Sequence, residues 1–138
     1  MKAFIDTSSL FKRYVPTETR AADLRSFLVT VDTITVSPTY LIEMTSICQR
    51  LVRDRLLTPK KARALLSEIQ QDHQYFDVVV WSPVLESCAI AMTKKYPLKT
   101  LDSIQIAAAA LSQSDVYVTS DARLHESFKK EFRETVYL

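Results

Sequence analysis

Short runs of β-branched and aromatic residues alternate along the chain with longer stretches of helical periodicity. The runs are short and apolar throughout, which favours strands that are covered on both faces. Alternation of this kind is typical of βαβ units, and therefore of an α/β fold with a parallel sheet between helices. We predict five strands, at Ala3–Ile5, Thr33–Val36, Val78–Trp81, Val116–Thr119 and Thr135–Leu138.

The starts of several helices are marked by capping residues. Ser37-Pro38, Thr58-Pro59 and Ser82-Pro83 each place a hydroxyl before a proline at the first helical position. The predicted helices are Ser8–Tyr14, Ala21–Val29, Pro38–Leu56, Pro59–Asp72, Pro83–Lys95, Leu101–Ser112 and Ala122–Phe132, the last capped by Asp121. No repeat or long linker divides the chain, so we expect one domain over residues 1–138.

The chain contains neither glycine nor asparagine. Average usage would give a chain of this length about ten glycines. The absence excludes a Walker phosphate loop, a dinucleotide-binding glycine fingerprint, an EF-hand loop and an N-glycosylation site. Left-handed backbone positions at helix ends must be avoided or filled by costlier residues. The two cysteines and two histidines lack metal-ligand spacing, which argues against a zinc site.

Charge and hydropathy indicate a cytoplasmic protein without membrane contact. No stretch approaches the roughly 18 apolar residues of a membrane span, and Asp6 interrupts the first apolar run, unlike in a signal peptide. The net charge of +2, from 18 basic and 16 acidic residues, is too small to indicate nucleic-acid binding by itself. A nucleic-acid ligand must therefore be inferred from where the charges lie.

Asp6 and Glu43 are acidic residues in apolar surroundings. Asp6 ends the first predicted strand and is followed by three hydroxyl residues, Thr7, Ser8 and Ser9. Glu43 lies in SPTYLIEMTSICQRL, where helical periodicity turns its side chain at least partly inward. An inward carboxylate needs a cation or a hydrogen-bond partner. The two positions thus favour a functional site over a solvated surface.

Asp102 and Asp121 lie at predicted helix starts. Asp102 is in the first turn of LDSIQIAAAALS, the most apolar helix, and Gln105 shares its face. Asp121 follows the fourth strand, and capping or the helix dipole would explain either acid taken alone. In an open parallel sheet, however, ligands bind beyond the carboxyl ends of the strands, where the strand order reverses. The four acids together predict one shared cleft.

A shared carboxylate cluster limits the chemistry of the site. Two carboxylates 4 Å apart repel by about 4 kcal/mol at an effective dielectric constant of 20, so the cluster must take up protons or a divalent cation. Oxygen ligands without imidazole or thiolate favour Mg²⁺ or Mn²⁺. Such ions activate water and stabilise the charge that develops when a phosphodiester is displaced.

The ordered segments IDTSSLFKRY, PTYLIEMTS, LKTLDSIQIAAA and VYVTSDARL resemble the PIN domain, and within it the small VapC-type toxins of toxin–antitoxin pairs. The resemblance covers essentially the whole chain. It implies a three-layer α/β/α fold on a parallel sheet with strand order 3-2-1-4-5. It also implies a homodimer with a cognate antitoxin, and a Mg²⁺- or Mn²⁺-dependent endoribonuclease that cuts single-stranded regions of structured RNA.

The resemblance assigns roles to individual positions. Asp6, Glu43, Asp102 and Asp121 match the catalytic acids, and the first, third and fourth of these are the expected metal ligands. Three hydroxyl residues match accessory positions of the family, namely Thr7, Ser8 and Thr119.

Basic residues accompany the acids along the sequence. A basic rim would guide a phosphate backbone while the metal takes the scissile group, and the predicted contacts are Lys12, Arg13, Lys99 and Arg123. Three tyrosines would be able to stack on unpaired bases, although packing explains each of them more simply: Tyr14, Tyr40 and Tyr96.

Other classes fit the sequence less well. A phosphatase of the haloacid-dehalogenase type needs a second Asp two residues after the first, where this chain has Ser8. A response-regulator receiver needs an Asp at the end of a central strand, and the strands ending at Val36 and Trp81 supply none. A non-catalytic PIN-like module that binds RNA or protein stays open, but such a module has no need of a repulsive acidic cluster.

Overall fold

A computed structural model describes all residues, 1–138. Its five strands form one sheet in the order β3-β2-β1-β4-β5, and every neighbouring pair is parallel. The strands are β1 (Lys2–Ile5), β2 (Thr33–Val36), β3 (Phe76–Val78), β4 (Val116–Thr119) and β5 (Thr135–Tyr137). The predicted fold class and strand order are therefore confirmed. The order places β1 beside β4, where the direction of winding reverses.

Seven helices cover the sheet: α1 (Thr7–Phe11), α2 (Ala21–Leu28), α3 (Tyr40–Arg53), α4 (Pro59–Asp72), α5 (Pro83–Lys95), α6 (Thr100–Ser112) and α7 (Ala122–Glu131). The predicted caps of α4 and α5 are confirmed, since the hydroxyls of Thr58 and Ser82 accept backbone N–H bonds of 3.2 and 3.0 Å. None of the helices combines the length and apolarity needed to cross a bilayer.

The predicted start of α3 at Pro38 is wrong. The Ser37 hydroxyl hydrogen-bonds to the Thr39 hydroxyl at 2.8 Å instead of capping a helix, and α3 begins at Tyr40. The helix also ends earlier than predicted because Arg55 adopts a left-handed conformation with φ of 59°. Arg20 and Gln113 occupy the other two left-handed positions. Residues with a Cβ thus fill positions that glycine would fill at lower cost.

The predicted position of β3 is also wrong. It spans Phe76–Val78 rather than Val78–Trp81 because its pairing is set by β2, with Ile34 opposite Phe76 and Val36 opposite Val78. One further bond joins the N–H of Val79 to the carbonyl of Val36. Beyond that point β2 has ended, so the apolar run continues without a partner, and the side chain of Trp81 is largely exposed.

Two hydrophobic cores lie on opposite faces of the sheet. Ala3 and Ile5 of β1 point to a core shared with α1 to α4, whereas Phe4 points to a core shared with α5 to α7. Successive side chains of a strand alternate between faces, which is why a short apolar strand can serve both layers. The central strands are therefore held from both sides, and the residues that follow them are fixed in position.

Candidate active site

Asp6 stands directly after β1 and is the most enclosed acid of the chain, with 3% of its surface exposed. Its carboxylate caps α1 by accepting the backbone N–H of Ser9 at 2.9 Å. The Ser8 hydroxyl lies 3.1 Å from both carboxylate oxygens, and the hydroxyl of Thr119 donates to Oδ2. Asp6 is thus held by α1 on one side and by β4 on the other.

Thr119 links two of the acids. Its buried hydroxyl donates to Asp6 and accepts the backbone N–H of Asp121 at 3.0 Å. A second connection joins the same segments, because the hydroxyls of Ser9 and Ser120 lie 2.8 Å apart. The ends of β1 and β4 are therefore joined by side chains as well as by the sheet.

Glu43 projects from the first turn of α3 and is held by two donors. The Thr39 hydroxyl and the Gln105 amide both donate to its Oε1, at 2.5 and 2.8 Å. The same Gln105 amide nitrogen donates to the hydroxyl of Thr7 at 3.0 Å, and its own carbonyl oxygen is buried without a partner. One side chain of α6 thus connects α3 to α1, and the Oε2 of Glu43 is left without a hydrogen bond.

Asp102 and Asp121 are partly exposed and differ in their contacts. Asp121 caps α7, as predicted, by accepting the backbone N–H groups of Arg123 and Leu124 at 2.8 and 3.0 Å. Asp102 lies in the first turn of α6 and accepts no hydrogen bond from the protein. Its carboxylate is therefore the least constrained of the four.

Burial and like charges raise the pKa of three of the carboxylates, Asp6, Glu43 and Asp102. Burial raises the pKa of Asp6, against the opposing effect of its hydrogen bonds, and burial likewise raises the pKa of Glu43. The pKa of Asp102 is raised by burial and then by the charges of Asp121 and Asp6. Lys99 and Arg123 partly offset that rise. The four acids consequently form one electrostatic cluster.

The donors in this cluster suit a hard divalent cation. Carboxylate and hydroxyl oxygens surround the cleft, and the two histidines pack elsewhere, against Tyr40 and Tyr137. No three acidic, histidine or cysteine side chains converge on one metal position in this conformation. Mg²⁺ is commonly held by one or two carboxylates with water completing its shell. The donor set therefore fits Mg²⁺ or Mn²⁺ bound largely through water.

The structure separates the predicted basic residues into two groups. Lys99 and Arg123 lie near Asp102, and their positive charges offset part of the rise in its pKa. Arg13 lies beside α4 instead, with its Nε 3.7 Å from the Asp72 carboxylate. Lys12 is 8% exposed, and its ammonium donates to the backbone carbonyl of Leu138 at 2.9 Å. The RNA contact of Lys12 stays a prediction, and in this structure the side chain is buried against the carbonyl of Leu138.

The three tyrosines considered for base stacking are all packed inside. Tyr14 and Tyr96 use their hydroxyls to donate to Asp72 and Glu131, and Tyr40 is enclosed in the larger core. The simpler packing explanation holds for each of them.

Two residues of the cleft were not predicted as site residues, Thr39 and Gln105. Thr39 precedes α3 and was hidden by the expectation that Ser37 caps that helix. Gln105 carries a usable signal, since it is a polar side chain in an apolar helix three residues after Asp102. Its connection to Glu43 joins two helices that lie on opposite faces of the sheet, which no local pattern reveals.

The comparisons with known proteins agree with this fold. The sequence model of the PIN domain family matches residues 3–129. The VapBC2 structure from Rickettsia felis, bound to a DNA fragment from its promoter, superposes with a TM-score of 0.68 at 12% identity, covering 100% of this chain and 99% of that one. No curated protein matches the chain by sequence.

Two further solved structures are similar. VapC20 of Mycobacterium tuberculosis, a toxin that cleaves the sarcin–ricin loop, gives a TM-score of 0.68 at 16% identity over 91% of this chain and 94% of its own. FitAcB from Neisseria gonorrhoeae gives 0.70 at 13% identity over 99% and 96%. Likeness at these identities shows the shared fold.

Proposed function

Because the chain belongs to the PIN domain family, we propose that it is a cytoplasmic endoribonuclease that hydrolyses RNA phosphodiester bonds with Mg²⁺ or Mn²⁺. The observation that carries this proposal is the connection between the carboxyl ends of β1 and β4 through the Thr119 hydroxyl. Thr119 holds the Asp6 carboxylate and the Asp121 backbone together, with Glu43 and Asp102 beside them. Such a cluster of acids is costly without a cation to neutralise it.

The metal would be held by Asp6, Asp102 and Asp121. When bound, the ion would supply a Lewis acid and a more acidic water for attack on phosphorus. Ser8, Ser9 and Thr119 orient the Asp6 carboxylate before substrate arrives, so no binding energy is spent on ordering it. Thr7 acts one step further away, through its hydrogen bond from Gln105.

Glu43 is suited to proton transfer. Its Oε1 is fixed by Thr39 and Gln105, while Oε2 is free to accept a proton from water or to return one to the leaving oxygen. Burial raises the pKa of Glu43, which brings the carboxylate closer to neutral working pH than an exposed glutamate. The role proposed for Glu43 is therefore that of a general base and acid.

The substrate and partner complete the proposal. Lys99 and Arg123 lie beside Asp102, where they would attract the phosphate backbone of a single-stranded RNA region. Family membership and the structural likeness to toxin–antitoxin complexes from Rickettsia felis and Klebsiella pneumoniae support a VapC-type toxin with a cognate antitoxin. The homodimer rests on the resemblance of the sequence to that family alone.

Cleavage of a structured RNA tests the proposal. We expect wild type to cut a stem–loop RNA in Mg²⁺ or Mn²⁺ and to stop in EDTA. Asp6→Asn should lower the rate by at least about 100-fold because a charged ligand and a negative charge are lost. Asp54→Asn, at the exposed end of α3, is the matched control and should cut normally.

Two results would contradict this function. A wild-type protein that binds RNA but cuts no RNA in either metal would favour the non-catalytic module. Normal cleavage by Asp6→Asn would show that the buried carboxylate is structural.

A further inference from the structure

A pocket of about 330 Å³ lies between the segment that joins α5 to α6 and the exposed face of α7. Ligand pockets commonly enclose about 300–1,000 Å³, so this one has room for a single small ligand. Seven residues line it: Tyr96, Pro97, Leu98, Arg123, Glu126, Ser127 and Lys130. The mechanism described above uses no part of the pocket except Arg123.

The charges around the pocket favour an anion. The acids on this surface already have partners: Glu126 pairs with Lys129 at 2.8 Å, and Glu131 pairs with Lys95 at 2.5 Å. Arg123 and Lys130 form no salt bridge, although both belong to the lining. The pocket therefore contains two cations without an ion-pair partner, Arg123 and Lys130, and one acid, Glu126, whose charge Lys129 partly offsets.

The pocket extends directly from the acidic cleft. Arg123, Ser127 and Lys130 lie on one face of α7, spaced by four and three residues, and α7 begins at its cap Asp121. At a rise of about 1.5 Å per residue, Lys130 lies about 10 Å along the helix from Arg123. On the opposite wall, Leu98 precedes Lys99, the residue at the start of the helix that carries Asp102.

The rest of the pocket lining is uncharged except for Glu126. Pro97 and Leu98 give the pocket an apolar wall, while the hydroxyl of Ser127 belongs to the helix side. Tyr96 forms the floor, with the Lys130 ammonium 5.8 Å from its ring centre. An apolar wall facing cations and a hydroxyl suits a nucleotide, which joins an anionic phosphate to a ribose and a flat base.

We propose that this pocket is a nucleotide subsite, in which Arg123 and Lys130 bind the phosphate and the Pro97–Leu98 wall receives the ribose and base of the RNA residue next to the scissile bond. The assignment of the bound nucleotide to RNA rests on the proposed function. The pocket then contributes to the choice of cleavage sequence, because its wall contacts the part of the nucleotide that differs between bases.

Direct binding of small nucleotides tests the subsite without any cleavage. The four ribonucleoside 5′-monophosphates and inorganic phosphate are titrated into metal-free wild type in EDTA, with backbone amide NMR shifts as the readout. We expect saturable shifts centred on Leu98, Ser127 and Lys130, with at least one nucleotide binding more tightly than phosphate. Lys130→Gln should weaken nucleotide binding by about fivefold, since one charged contact is lost. Lys60→Gln, at an exposed lysine of α4, should leave binding unchanged.

A second variant separates the wall from the cations. Leu98→Ser should weaken nucleotide binding while leaving that of inorganic phosphate unchanged, because it alters only the apolar contact. Equal affinity of wild type for phosphate and for all four nucleotides would overturn the nucleotide assignment. Shifts centred elsewhere, or no binding, would overturn the subsite itself.

Cleavage data distinguish this inference from the proposed function. In an active enzyme, Lys130→Gln should raise KM for RNA and change kcat little, since Lys130 lies away from the acids. If wild type binds nucleotides but cuts no RNA, the nuclease function fails and the pocket stands as a nucleotide site. If wild type cuts RNA and Lys130→Gln leaves KM unchanged, the subsite fails and the nuclease function stands.

Discussion

On one side of the cleft, Asp6 and Glu43 accept hydrogen bonds from four side chains and a backbone N–H. On the other side, Asp102 accepts no hydrogen bond, and Asp121 uses its carboxylate to cap α7. The first pair is anchored in the sheet and in three helices, whereas the second pair lies at the exposed starts of α6 and α7. The fold fixes one half of the site and leaves the other half able to adjust.

This difference separates stability from ligand binding within one acidic cluster. The donors around the buried acids would leave unpaired polar groups if removed, and such groups are costly inside a protein. The charge of Asp102 is repelled by Asp121 and Asp6 and only partly compensated by Lys99 and Arg123, so it opposes folding until a cation arrives. Substitutions on the two sides should consequently change the free energy of unfolding in opposite directions.

The largest change is expected from Thr119→Val. The substitution preserves shape but removes one of the two donors at the Oδ2 of Asp6 and leaves the N–H of Asp121 without its acceptor, so we expect a loss of about 2 kcal/mol in the free energy of unfolding. Cleavage should fall as well, because Asp6 loses its orientation. Thr119→Ser, which keeps the hydroxyl, should retain most of both. Denaturant titration in EDTA measures the effect. Equal stability of Thr119→Val and Thr119→Ser would show that the hydrogen bonds to the buried acids do not stabilise the fold.

A smaller effect of opposite sign is expected from Asp102→Asn. Removing this charge relieves repulsion with Asp121 and Asp6, but water screens a partly exposed group. We therefore expect the free energy of unfolding in EDTA to stay constant or to rise by up to about 0.5 kcal/mol, while Mn²⁺ affinity decreases. Thermal melts with and without millimolar Mn²⁺ measure both quantities. A clear loss of stability would mean that Asp102 has a structural role that its contacts do not show.

The smallest effect is a pH dependence of the free energy of unfolding that comes from Asp102. Because the folded-state pKa of Asp102 is raised above 3.8, this group adds stability as the pH falls from neutral through the raised pKa, and the gain is complete below about 3.8. Metal-free wild type should thus gain more stability than Asp102→Asn between pH 7 and pH 4. Denaturant midpoints at the two pH values measure the difference. An identical gain in both proteins would assign the pH dependence to other groups.

The sequence was sufficient to place the acids because local patterns determine their positions. Asp6 and Thr119 end buried apolar strands, and the parallel order puts those strands side by side. Since the four acids offer only carboxylate oxygens as ligands, the sequence also predicts a hard divalent cation rather than zinc. The cap of α7 at Asp121 was also predictable, since capping depends on residues adjacent in the chain.

Features that depend on distant parts of the chain were not predictable. The burial of Lys12 results from the carbonyl of Leu138, which lies 126 residues away. The register of β3 follows from the length of β2 rather than from its own apolar run. Gln105 reaches Glu43 across 62 residues and joins helices on opposite faces of the sheet. Each of these features concerns a contact that a local window does not contain.

The pairing of β1 with β4 has a consequence for protein synthesis. Asp6 is translated long before its partner Thr119, which lies 113 residues later. A nascent chain therefore has no assembled acidic cleft until β4 has left the ribosome and entered the sheet between β1 and β5. Contacts of such long sequence separation form late and slowly. A chain truncated before β4 would retain Asp6, Glu43 and Asp102 and still lack the strand that places Thr119 and Asp121 beside Asp6, so unfinished copies would not contain the assembled cluster.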